Sequence, residues 1–148
     1  MVKILKLLIL KTYKKMNRTT PEIISELSDN EVFVFGSNLS GIHGAGAAEL
    51  ALNRFGAIWG LGSGIQGNSY AIPTKDFNVY SKLPIDKIKH YVDMFIIFAK
   101  ELKDVTFFVT EIGCGLAGYI PEDIAPLFVD AMDVENIYLP ERFWKILK

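Results

Sequence analysis

The residues best placed to do chemistry lie in two glycine-rich stretches. The first is Gly36-Ser37-Asn38-Leu39-Ser40-Gly41-Ile42-His43-Gly44-Ala45-Gly46-Ala47-Ala48, which follows the apolar run Val32-Phe33-Val34-Phe35. The second is Thr110-Glu111-Ile112-Gly113-Cys114-Gly115-Leu116-Ala117-Gly118-Tyr119, which follows Val105-Thr106-Phe107-Phe108-Val109. Glycine lets a backbone N–H approach a ligand with no Cβ in the way. Where a strand ends and a helix begins, such amides can converge on an anion. The chemistry predicted is the holding of a phosphate or diphosphate by main chain rather than by side-chain charge. Two strand–glycine loop–helix units then suggest two walls of one cleft, at the carboxyl ends of the strands of an open α/β sheet.

A few side chains around these loops could add to that chemistry. Asn38 can bind a ribose hydroxyl as donor and acceptor, or close an Asx-turn within its own loop. His43 is a candidate base or substrate contact; the alternative is a helix-start cap or a solvated ring. Lys75 follows Pro73-Thr74 at a strand end, where it could pair with a phosphate or act as a nucleophile, or simply be solvated. Asp76 is a candidate water-activating base or only a salt-bridge neighbour of Lys75. Cys114 would be activated at a helix N-terminus, but no histidine is placed to support it, which favours a small buried residue. Glu111 could accept from a ribose hydroxyl, and Tyr119 could stack on a sugar or base or pack against the next helix. No Gly-Lys-Ser/Thr closes either loop, so neither is a P-loop, and Gly41, Gly44 and Gly46 have the wrong spacing for a dinucleotide fingerprint. Gly62-Ser63-Gly64 is not a nucleophile elbow. Two histidines and one cysteine give no zinc pattern.

The elements that must position these residues alternate between strand and helix. The 148 residues fit one domain, and half of them are hydrophobic, enough for a core. A net charge of −1 gives no field favouring nucleic acid. A single cysteine excludes an intramolecular disulfide framework and fits a cytoplasmic protein. Residues 1–15 are basic and apolar, read as an N-terminal extension: a helix or strand packed on the domain, or a frayed end. A membrane-surface anchor is the sharper alternative. The run is too short to span a membrane, and Lys6 interrupts any signal-peptide core.

The domain proper is read as 16–148, with Met16 an alternative start. Thr19 or Thr20 is expected to cap a short helix over Pro21–Leu27. Ala47, Leu50, Ala51 and Phe55 fall at helical spacing, with Gly56 as the stop. Ile58–Asn68 reads as a loop, and Ser69–Pro73 as a short strand that Pro73 ends or places at an edge. Pro84 opens a long helix with Ile85, Ile88, Val92, Phe95, Ile96, Ala99 and Leu102 on its apolar stripe. A helix from Pro121 carrying Ile124, Leu127 and Phe128, a strand at Asn136–Leu139 and a terminal helix complete the pattern. An α/β/α layered domain is expected.

The segments Gly44-Ala45-Gly46-Ala47-Ala48 and Ile112-Gly113-Cys114-Gly115-Leu116 resemble the two ligand loops of the macro domain family, which binds ADP-ribose. The resemblance covers roughly Val32 to Leu139. It implies a three-layer fold around a mixed sheet, with the diphosphate on the amides of Gly44–Ala47 and of Gly113–Gly118, Ile112 among the ligand-binding residues, and no cofactor. Asn38 would touch the distal ribose, and Gly36, Ser37 and Tyr119 are further candidate ligand-binding residues. The nearest branch includes the terminal ADP-ribose protein glycohydrolases, and Thr74-Lys75 stands where that branch has a catalytic lysine. The branch's aspartate position is Ala117 here, and Asp76 and His43 are the other groups that could serve. The implied partners are ADP-ribose or a related nucleotide, with an ADP-ribosylated protein or nucleic acid as substrate. The chain also resembles small phage and bacterial proteins with Phe-Gly-Ser-Asn-Leu and Ala-Ile-Pro-Thr-Lys signatures. The alternative function is a non-catalytic accessory protein that acts through a protein partner.

Overall fold

A computed structural model describes residues 2–148, and the side chains of 11–17 lie outside that description. The sheet is built on β1 (Glu31–Asn38), with β3 (Ser69–Lys75) on one side and β4 (Thr106–Val109) on the other, both parallel to it. β5 (Ile137–Tyr138) extends it in parallel beyond β4, and β2 (Gly64–Gln66) closes the opposite edge antiparallel to β3. The order is β2-β3-β1-β4-β5, a mixed five-stranded sheet.

β1 is apolar on both faces because both faces are covered. Val32 and Val34 join Ile72, Phe95, Phe107 and Phe128 in one core. Phe33 and Phe35, pointing the other way, join Ala48, Ala51 and Phe55 of the opposite layer. Phe35, fully buried, contributes about 1.5–3 kcal/mol of transfer free energy by burial.

The helical layers follow from the periodicities. α2 (Gly46–Arg54) supplies Ala48 and Ala51 to the Phe33/Phe35 side, while Leu50 is half-buried and Ala47 exposed. Gly56, at φ +78°, follows its C-cap, and Ala57 N–H returns to Ala51 O at 3.1 Å. α3 (Ile85–Glu101) buries Ile88, Val92, Phe95, Ile96 and Ala99, five of the seven stripe residues, against the other face. α5 (Glu141–Leu147) adds Phe143 and Trp144 to that face. The result is the expected α/β/α arrangement.

Several local expectations are corrected. α4 (Pro121–Ile124) stops after one turn and gives way to a 3₁₀ helix over Ala125–Ala131. Pro126 has no N–H to continue an α ladder. Ile124, Leu127 and Phe128 are nevertheless buried. β3 continues past Pro73 to Lys75, while β2 pairs only Ser69–Ala71, so the proline lies where its strand has β1 as its one neighbour.

Pro21–Leu27 is not helical. Thr20 caps nothing: its N–H donates to Leu139 O (2.9 Å) and its hydroxyl to Val109 O (2.7 Å). Arg18 is likewise tied to the domain. Its guanidinium is buried, donating to Val134 O, Ile137 O and Met132 O, and its Cζ lies 5.3 Å from the Trp144 ring centroid. Segment 18–20 is thus part of the body of the domain. The chain before it forms α1 (Val2–Asn17), whose residues 2–10 are exposed rather than packed on the domain. Met1 lies outside the described residues.

Candidate functional site

β1 lies between β3 and β4, and the chain leaves its carboxyl end toward one side of the sheet and that of β4 toward the other. That switch point is where an open α/β sheet has a crevice. A cleft of about 340 Å³ occupies it, within the range of small-molecule sites. Its floor is Gly36, Ser37 and Asn38 from the end of β1 and Thr74 and Lys75 from the end of β3. One wall is Gly44–Ala48 at the start of α2, and the other is Thr110–Gly113 with Gly115–Ala117. The two glycine loops therefore face one cavity. They meet at its base, where a Cβ on Gly36 would lie 3.3 Å from Gly113 N.

The amides of these walls remain available. Among the described residues, the N–H groups of Ala45, Gly46 and Ala47 donate no hydrogen bond within the chain, nor do those of Gly113, Gly115, Leu116 and Ala117. Gly44 and Gly115 are informative for a second reason. Neither has a positive φ. A Cβ on Gly115 would meet nothing within 4 Å, and one on Gly44 only Ile42 Cγ2 at 3.9 Å. Backbone conformation and packing leave both positions free to carry a side chain.

Charge in the cleft is sparse. Lys75 is half-buried, and no carboxylate pairs with it among the described residues. Glu111 is the one carboxylate lining the cleft, and Arg142 grips it with two hydrogen bonds, Nε to Oε2 at 2.6 Å and a terminal nitrogen to Oε1 at 2.5 Å. That bond, the largest cause, raises the Arg142 pKa further.

Several residues expected at the site have other employment. The Asn38 carboxamide is closed on Ile42, donating to its O (2.8 Å) and accepting from its N–H (2.9 Å). This is the local clamp reading, which leaves little of Asn38 for a ribose. Ser37 Oγ donates to Gly62 O. His43 lies outside the cleft lining and is fully buried. Its Nε2 sits 3.0 Å from Leu61 O and 3.2 Å from Gln66 Oε1. Both partners accept there (Gln66 Oε1 also takes the Ile58 N–H), so Nε2 carries the proton. Phe35 packs edge-on at 5.3 Å. A base role needs access that this ring does not have.

Asp76 also lies outside the cleft lining, its Oδ1 accepting from Phe77 N–H at 2.7 Å. Cys114, Gly118 and Tyr119 belong to the second loop but not to the cleft wall. Cys114 packs against the core, and burial, with Glu111 adding to it, pushes the thiol up to about 11. It is a protonated packing residue rather than an activated nucleophile. The Tyr119 hydroxyl donates to Leu83 O, and Lys82 Nζ stands 4.3 Å from its ring centroid.

Five lining residues were not named as site residues from the sequence: Ile42, Ala48, Thr74, Val79 and Thr110. Ile42 and Thr110 flank the expected positions, and their place beside the glycines was a usable signal. Val79 left none. It reaches the cleft from a turn in which it holds φ +60°, a conformation rare for a β-branched residue. No family model matches the chain, and neither curated proteins nor solved structures include a match to it.

Proposed function

We propose that the chain is a binding module for ADP-ribose or a closely related nucleotide, with the pyrophosphate between the two glycine walls. The observation that carries this reading is the pair Gly44 and Gly115. Both line the cleft, neither is required by φ, and neither is hemmed in by neighbours. Bare backbone with unspent amides on two facing walls suits an extended dianion, which needs donors from both sides. Lys75 supplies the compensating cation. The nucleoside part of the reading rests on the resemblance of the two loops to the macro domain family.

Binding is favoured over hydrolysis by the state of the acid–base groups. Glu111 is held by Arg142, while Asp76 and His43 lie outside the cleft lining. Ala117 supplies no carboxylate. What remains is a cradle and a cation, which can position a nucleotide but hold no free base to activate water.

A thermal-shift panel tests the reading, because a ligand that binds only the folded state raises its melting temperature. ADP-ribose is expected to raise it, ADP to raise it less, and adenosine and ribose 5-phosphate to leave it near the unliganded value. Equal shifts with adenosine and ADP-ribose would remove the pyrophosphate from its central place. No shift with any of them would favour a protein partner instead.

A further inference from the structure

The helix α1 carries an independent inference. Its residues Ile4, Leu5, Leu7, Leu8, Ile9 and Leu10 are each 54–63 % exposed. Isolated exposed leucines are ordinary, but a contiguous set on one helix marks a contact surface. Five of the chain's sixteen basic residues lie here (Lys3, Lys6, Lys11, Lys14 and Lys15) and none of its seventeen acidic ones, so the rest of the chain is net acidic.

That charge separation selects the occupant. Val2, Leu5 and Ile9 recur at helical spacing along one stripe, with Lys3 and Lys6 on another. A second copy would bring two helices of the same strong positive charge together, which is unfavourable. An anionic lipid surface meets both demands at once, taking the aliphatic stripe into its acyl boundary and the ammonium groups among its headgroups. Leu7 and Leu10, nearer the lysines, pose no conflict, since lysine stems lie along apolar surface while their heads reach water. The helix lies on such a surface rather than crossing it: 16 residues make about 24 Å, less than a hydrocarbon core of about 30 Å. No described helix is long and apolar enough to span a membrane.

We propose that α1 docks this protein on anionic phospholipid bilayers. Vesicle flotation of the full chain tests it. Vesicles with about one third phosphatidylserine should retain the protein roughly tenfold more than pure phosphatidylcholine at low salt, with the excess lost at high salt. The double variant Leu5→Glu/Ile9→Glu should abolish retention with an unchanged melting temperature, because the helix is not part of the domain core. Absent retention on anionic vesicles overturns the proposal, as does equal retention by the double variant or on neutral lipid. A dimer in light scattering that the double variant dissolves would also overturn it, in favour of a second copy. None of these outcomes depends on nucleotide binding.

Discussion

In the loop after β1, Gly41 holds φ +70°, and a Cβ there would lie 2.3 Å from Leu61 N and 2.4 Å from Gly60 C. Gly62 is pressed as closely from the other side, its would-be Cβ 2.4 Å from Asn38 O. Asn38 clamps Ile42, and Ser37 ties to Gly62, so this loop is knitted to the Ile58–Asn68 segment beside it. In the loop after β4, Gly115 and Gly118 have open space around them, and three consecutive amides, Gly115 to Ala117, are unspent. Gly41 and Gly62 let main chain pack on main chain, whereas Gly115, like Gly44 at the far end of the first loop, leaves main chain bare. Glycine count alone cannot separate the two uses; the space around each Cα does.

The comparison breaks most visibly at Gly41. Gly41→Ala combines an unfavourable φ with a backbone clash, and should cost on the order of 3 kcal/mol in urea unfolding. A loss near zero would mean the first loop is not locked. Asn38→Ala should cost about 2 kcal/mol, since it removes both hydrogen bonds to Ile42 and leaves those groups unpaired. If stability held and nucleotide affinity fell, Asn38 would be a ligand residue after all.

Lys75→Met should leave the melting temperature unchanged and weaken ADP-ribose by roughly tenfold, the scale of one charge-assisted hydrogen bond. The smallest effect belongs to Cys114. Its thiol holds a proton to about 11 in the folded chain, so alkylation should accelerate only toward that pH. Between the ordinary thiol value and about 11 the unfolded chain binds fewer protons than the folded one, so stability falls as pH rises through that window. Alkylation already fast at neutral pH would restore Cys114 as a reactive group.

Elements whose pattern was dictated by burial were legible. Val32–Phe35 and Thr106–Val109 read as strands because both sheet faces are covered, and α3 because its stripe meets one core. The sequence also placed both glycine loops and Lys75 at one cleft. What it could not give depended on distant partners. His43 read as a loop base, a helix-start cap or a solvated ring, and only Leu61 and Gln66 reveal it as a buried strut. Thr20 resembled a cap, but Leu139 and Val109 claim it for the sheet margin. Arg18 gave no signal of its own, and the carbonyls of Met132, Val134 and Ile137 that hold it lie more than 100 residues away.

The most direct measurement is calorimetric titration of ADP-ribose into the wild-type chain and into Gly115→Val, with melting temperatures taken in parallel. A Cβ at 115 meets nothing within 4 Å, so stability should change by less than about 0.5 kcal/mol, while the side chain occupies the anion's approach and affinity should fall at least roughly tenfold. Unaltered affinity in a stably folded Gly115→Val protein would contradict the cradle.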